Sequence, residues 1–164
     1  MRTALQILAV ALVTGLLLAA AAVLVAVSGW VGVAASGHHD GAVEWFLELA
    51  RDRAVERNAT AVEVPDLSDP GRRRRGERLY REHCALCHGL PGEPRSPVAN
   101  GLNPPPPDLS EGIPPADAAE AWWITAHGIR MSGMPTFQSH LTDGEIWDVV
   151  AWLARGELRD GSSE

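Results

Sequence analysis

The chain has 164 residues, 46% of them hydrophobic, which leaves room for one modest domain with something small beside it and excludes a disordered polyelectrolyte. All 14 basic residues are arginines, and against 21 carboxylates they leave a formal charge of −7, which argues against nucleic-acid binding through a basic surface. The two cysteines, Cys84 and Cys87, fall in one short window, so a disulfide-stapled scaffold is excluded as well.

From Ala4 to Val27 there is no charge, and only Gln6, Thr14 and Gly15 interrupt an Ala/Leu/Val run. As a helix this stretch reaches roughly 36 Å at about 1.5 Å per residue, slightly more than a hydrocarbon core of about 30 Å. It is predicted to cross a lipid bilayer, as an N-terminal anchor within residues 1–35. A cleaved signal sequence is the competing reading, because Arg2 supplies a basic start and Val33-Ala34-Ala35 before Ser36 resembles a cleavage site. Signal cores usually run only about 7–15 residues, which favours the anchor. Arg2 precedes the span, whereas the next arginine, Arg51, lies 24 residues beyond Val27, outside the window in which basic residues set orientation. The bulk of the chain is therefore expected on the outer face. Trp30 sits where an indole suits the headgroup layer, with packing on the next segment as the plain alternative.

Residues 36–71 read as a juxtamembrane helix and linker. Val43, Phe46, Leu47, Ala50 and Ala54 recur at steps of three and four, while Glu44, Glu48, Asp52 and Glu56 take other faces, which predicts a helix from Gly41 to Thr60. It either docks onto the following domain or lies on the membrane. Docking is favoured, since acidic helices are poor ligands for anionic lipid. Pro65 and an Asp69-Pro70-Gly71 turn signal end this section. Charge then changes sharply: residues 36–71 carry 3 arginines against 8 acids, residues 72–82 carry 6 against 2, and residues 83–164 carry 4 against 11. The basic stripe beginning at Arg72 is read as a solvated helix face or a docking patch, the former being the usual outcome.

Cys84-Ala85-Leu86-Cys87-His88 is a C-x-x-C-H sequence, the signature of covalent haem attachment. Two thiols three positions apart on a helical turn can each form a thioether to a porphyrin edge, and the adjacent histidine can then turn under the iron. Zinc held by His83, Cys84, Cys87 and His88 is the first alternative, but a closed zinc site usually draws on two separated pairs and no second pair exists. A redox dithiol would need a βαβ context, and no alternating strand pattern flanks the motif. Downstream, Asn103-Pro104-Pro105-Pro106-Pro107 should be extended and stiff.

A second iron ligand is sought in the segment 128–137. Thioether sulfur is a soft, neutral donor, and a His/Met pair raises the reduction potential. Met134 precedes Pro135, which restricts it to extended backbone and so favours a loop. Met131 is read as a packing residue or a lid over the haem edge. His127 and His140 are minor rivals, with solvent-facing readings preferred for both.

These elements together resemble the single-haem, class I c-type cytochromes, particularly membrane-anchored bacterial members. The resemblance spans about residues 72–155, through Tyr80, Cys84-x-x-Cys87-His88-Gly89, Pro107-Asp108-Leu109, Ile124, Gly128-Ile129, Gly133-Met134-Pro135 and the final helix. It implies an all-α fold, a small class I cytochrome c domain over 72–158 preceded by one transmembrane helix, with a short tail at 159–164. It further implies one covalent haem c, with Cys84 and Cys87 as thioether sites, His88 as proximal ligand and Met134 as distal ligand. Pro107 would be the residue whose carbonyl accepts the proximal imidazole proton.

Residues 116–127 are helix-favouring, with Trp122, Trp123 and Ile124 available to wall a pocket and an indole N–H to reach a haem propionate. The last helix is predicted from a capping box, Thr142 with Glu145, to Gly156 after Arg155, with Ile146, Val149, Val150 and Leu153 as its apolar stripe and Trp147 and Trp152 flanking it. The expected function is electron transfer without bond-making on a substrate. The domain would lie on the periplasmic side of a bacterial inner membrane, and its partners would be membrane or periplasmic redox proteins. No small-molecule substrate and no nucleic acid is implied. A haem-based ligand sensor or small peroxidatic protein is the alternative, and an anchor subunit with purely structural haem is a third reading.

Overall fold

The structure, a computed structural model, describes residues 2–34, 36 and 41–154. It falls into two compact units, Met1–Gly37 and His38–Glu164. Among the described residues all regular structure is helical.

The first unit is α1, Arg2–Val27, whose residues Thr3–Val27 are long and apolar enough to cross a membrane. Its Leu and Val side chains are exposed along the whole length, as a surface that meets lipid requires.

The second unit contains α2 (Gly41–Ala59), α3 (Pro70–His83), the single turn α4 (Ala85–His88), α5 (Pro97–Gly101), α6 (Ala118–His127) and α7 (Asp143–Leu153). The Asp69-Pro70-Gly71 turn signal proves to be a helix start. The Asp69 carboxylate accepts bonds from the amides of Gly71 (2.9 Å) and Arg72 (3.1 Å). Pro70 takes the first helical position, where its missing N–H is harmless.

Helix α3 crosses α7 at Gly76, where a Cβ would lie 1.8 Å from the Asp148 carbonyl oxygen. Only glycine lets the two backbones meet there. Around this crossing Leu79, Tyr80, Phe137, Leu141, Ile146, Val149, Trp152 and Leu153 form the main core. Tyr80 and Trp152 pack ring against ring, tilted by 37°, with centroids 4.3 Å apart. A second cluster joins Ala118, Trp147 and Val150 to Val62 and Leu67 of the linker.

Helix α7 opens with the capping box read from the sequence. Thr142 Oγ1 accepts from the Glu145 amide (3.3 Å), and the Glu145 carboxylate accepts from the Thr142 amide (2.9 Å). The single apolar stripe is corrected: every residue from Ile146 to Leu153 is buried, including Trp147, Asp148 and Trp152. The helix lies between α3 and α6 and therefore has two covered faces. It ends at Leu153 with Ala154 as its cap; Arg155, Gly156 and the tail 159–164 lie outside the described residues.

The buried Asp148 also explains much of the arginine stripe. Arg75 grips its carboxylate through two hydrogen bonds (2.7 and 3.1 Å), and Arg72 lies 3.3 Å away. Arg78 pairs with Glu82 and Arg81 with Glu77 one turn apart on the same helix. Two of the six arginines therefore neutralise a carboxylate in the core, and the stripe is not simply a solvated face.

Helix α2 docks through only part of its length. It packs against α6, and Val55 and Ala59 near its C-terminal end are buried. Its first half remains exposed.

Candidate functional site

The site begins where α3 ends. The Cys84 amide closes the last turn on the Tyr80 carbonyl (2.8 Å), and the chain then re-enters a single helical turn. Amides of Cys87 (3.0 Å) and His88 (2.9 Å) both bond the Cys84 carbonyl. This turn places the two thiols three positions apart with the imidazole immediately after. Both cysteines are free; Cys84 is buried and Cys87 half-buried. Burial, with a smaller contribution from Cys87, pushes the Cys84 thiol up to about 12, so it stays protonated at neutral pH.

A protonated buried thiol is a poor participant in disulfide exchange. Among the described residues no three His, Cys, Asp or Glu side chains converge as a metal cluster. His83 instead packs by His140 (5.4 Å between centroids) and Phe137 (6.3 Å). The arrangement of His83, Cys84, Cys87 and His88 therefore does not support the zinc alternative.

His88 is buried, and its Nδ1 lies 2.9 Å from the Pro107 carbonyl oxygen. A carbonyl only accepts, so Nδ1 carries the proton and Nε2 presents its lone pair. Burial lowers the pKa of the imidazole and keeps it neutral, the form that ligates a metal. Two further bonds lock the ring's backbone. The Leu109 amide donates to the His88 carbonyl (2.9 Å), and the Tyr80 hydroxyl donates to the Gly89 carbonyl (3.0 Å). Gly89 has φ +80°, and a Cβ there would press to 3.2 Å from the Asp108 carboxylate. The motif glycine is thus needed to turn the chain beside residues 107–109.

Arg95 is a member of the site that sequence reading missed. Its Nη2 donates to the Pro106 carbonyl (2.6 Å), one residue before the histidine's partner. Its Nε is buried with no hydrogen-bond partner. The available signal was that Arg95 is the one arginine between Arg81 and Arg130.

Met134 lies in the loop after α6. That helix stops at Gly128, whose φ is +69° and whose Cβ would lie 2.7 Å from the Met134 carbonyl oxygen. The loop is then closed by three bonds: the Ile129 amide to the Met134 carbonyl (3.1 Å), the Met134 amide to Ser132 Oγ (3.1 Å), and Ser132 Oγ to the Ile129 carbonyl (2.8 Å). Met134 packs against the core cluster that contains Cys84. Met131 has φ +62° and is 88% exposed, so its reading as a packing residue is corrected.

His127 and His140 are both exposed. His127 stacks on Trp123 (4.8 Å), and His140 Nδ1 lies 3.0 Å from Ser139 Oγ. The Trp122 indole stacks on Trp147 (5.6 Å), and its N–H is directed at the Asp143 carbonyl 3.5 Å away. Core packing accounts for that tryptophan.

The donor set suits a covalently attached haem. Two free thiols flank a neutral, oriented imidazole, a methionine shares the apolar cluster of one thiol, and an orphaned buried guanidinium N–H is available to a carboxylate. A comparison with curated proteins finds no match. The family model described as cytochrome C oxidase, cbb3-type, subunit III matches residues 71–153, a c-type cytochrome domain that carries covalently bound haem c. The chain belongs to that cytochrome family, as its C-x-x-C-H turn and all-helical core already indicated.

Proposed function

We propose that the protein is a membrane-tethered, single-electron carrier whose iron is held by His88 and Met134, with Cys84 and Cys87 as the thioether sites. Haem supplies a one-electron ferrous/ferric couple when bound. His88 contributes an imidazole whose tautomer and basicity are set by Pro107. Met134 contributes a neutral thioether, which favours the ferrous state relative to a second imidazole. The apolar cluster of Tyr80, Phe137, Ile146 and Trp152 keeps water from this side of the site. Leu86, exposed between the two cysteines, offers a small apolar contact where a redox partner would approach. Electron-transfer contacts are generally small and transient, so little more is required.

The observation that carries this reading is the contrast between the two methionines: Met134 is half-buried against the core cluster that includes Cys84, and Met131 is exposed. With both His88 and Met134 holding the iron, no position would be left for an added ligand, which weighs against the ligand-sensor and peroxidatic alternative. Charge supports an outward-facing domain on the periplasmic side, since Arg2 alone flanks the apolar run closely. Tethering to the bilayer replaces strong affinity by high local concentration near membrane redox complexes. Family membership points to an oxidase complex as the setting, with electron relay as this chain's own part.

Substitution of the two methionines tests the ligand assignment. Met134→Ala should abolish the long-wavelength charge-transfer band that thioether sulfur gives ferric haem, and should yield high-spin iron or recruit a foreign ligand. Met131→Ala should leave the spectrum as in the parent. Identical spectra for Met134→Ala and the parent would remove Met134 from the site.

A further inference from the structure

The exposed first half of α2 is an apolar surface that the haem domain does not cover. Trp45 is 64% exposed and Phe46 60%, with Val43, Leu47 and Leu49 also open. The buried residues Val55 and Ala59 define the stripe that meets the domain. Stepping back along that stripe by threes and fours leads to Glu48 and Glu44. On the opposite side lie Phe46, flanked by Val43, Leu47 and Leu49, and one to three turns later Arg53 and Arg57. Glu44 and Glu48 therefore lie in line with the stripe that meets the domain, whereas Glu56 sits beside the outer side, paired with Arg53. The outer side runs from apolar to basic.

We propose that this outer side of α2, through Val43, Phe46, Leu47 and Leu49 with Trp45 at the rim, seats in the headgroup boundary of the bilayer that α1 spans. The proposal rests on reading residues 4–27 as a retained anchor. Only residues 28–40 separate the end of α1 from the start of α2, so the tether reaches at most roughly 45 Å, at about 3.5 Å per residue. The tether therefore limits how far the apolar side can move from lipid. Its make-up matches that surface: aliphatic and aromatic groups to insert, an indole at the edge, and Arg53 and Arg57 beyond them to meet phosphates. Arg53 shares its charge with Glu56 at 2.9 Å, so the apolar residues are the main source of attachment. The consequence is a second, peripheral membrane contact that restrains the haem domain close to the bilayer surface.

The test uses the full-length, haem-loaded protein in phosphatidylcholine nanodiscs. Both native cysteines are then consumed by thioethers, so a single introduced thiol can carry a nitroxide. Labels at Phe46→Cys and Leu47→Cys are compared with Glu44→Cys on the opposite stripe and with Leu16→Cys inside α1. Collision with oxygen relative to a water-soluble nickel chelate should be on the order of tenfold higher at 46 and 47 than at 44, as expected for insertion of about 5–10 Å. Equal, water-like ratios at 44, 46 and 47 would overturn the proposal. Spin–spin broadening between labels at position 46 would overturn it in favour of a second copy of the chain. A bilayer-like label at Leu16 with water-like labels on α2 would sink the peripheral contact and keep the anchor. A water-like label at Leu16 would remove the anchor and the tether argument with it.

Discussion

At the scale of single residues, the site is organised around how a histidine is held. The motif alone marks Cys84, Cys87 and His88 as the candidate residues, because their order and spacing suit haem attachment. Four consecutive prolines are indistinguishable in sequence, and the 2.9 Å bond from His88 Nδ1 singles out Pro107. The isolation of Arg95 in the sequence marks it without assigning its role, since nothing local ties an arginine to a carbonyl eleven residues on. In the structure it fixes Pro106 at 2.6 Å and retains a buried donor without a partner. A cation close to the haem disfavours the additional positive charge of ferric iron. Arg95→Gln should therefore lower the midpoint potential while leaving haem content unchanged, and Arg95→Lys should restore part of the shift. Potentiometric titration of the purified variants decides it. A potential unmoved by Arg95→Gln would mean that the guanidinium is solvated when haem is bound.

At the scale of elements, capping chemistry was read correctly for α7 and misread for α3. Thr142 and Glu145 form a recognisable box, whereas Asp69-Pro70-Gly71 serves equally as turn or helix start until the following residues are placed. The burial of α7 was hidden for another reason. A stripe of Ile146, Val149, Val150 and Leu153 predicts one neighbour, but Trp152 is covered by Tyr80 and Trp147 by Trp122, on different helices. Gly76 marks the tightest point of that assembly. Gly76→Ala places a methyl 1.8 Å from the Asp148 carbonyl oxygen and must push α3 off α7. A cost of about 3 kcal/mol is expected, at the upper end of ordinary overpacking, and thermal melting of the haem-loaded variant measures it. The α3 cap also makes a pH prediction. Amide bonds from Gly71 and Arg72 hold the Asp69 carboxyl below its ordinary value. Its folded pKa is lower than the unfolded value of about 3.9, so its stabilisation is present above that value and is lost as pH falls through the folded one. The melting temperature of the parent should therefore decline below about pH 4 more steeply than that of Asp69→Ser, which keeps a neutral cap. Parallel declines would show that Asp69 is not a linked group.

For the whole molecule, the division into an apolar N-terminal helix and a small helical domain is visible in the distribution of charge alone. What the sequence could not separate is how α2 splits its length, because its periodicity is shared between a stripe that meets α6 and one that does not. The same small size that limits the core makes haem part of the fold. A domain of this length buries a marginal fraction of its surface, and a porphyrin attached at the proposed Cys84 and Cys87 sites would add apolar contacts where Cys84, Met134 and Leu109 meet the cluster. Helices α3 and α7 still have their own interface at Gly76, Tyr80 and Trp152, so helical structure should outlast fixed packing. Full-length Cys84→Ser/Cys87→Ser protein, unable to form either thioether, should keep much of its far-ultraviolet helical signal. It should also lose the near-ultraviolet signal of its buried tryptophans and melt without a cooperative transition. A covalently attached haem stays on the unfolded chain, so it stabilises only through the packing and ligation it makes in the folded state, and its absence removes that contribution. A doubly substituted chain that melts cooperatively at the temperature of the parent would show that α3, α6 and α7 suffice without it, and haem would then occupy a preformed site.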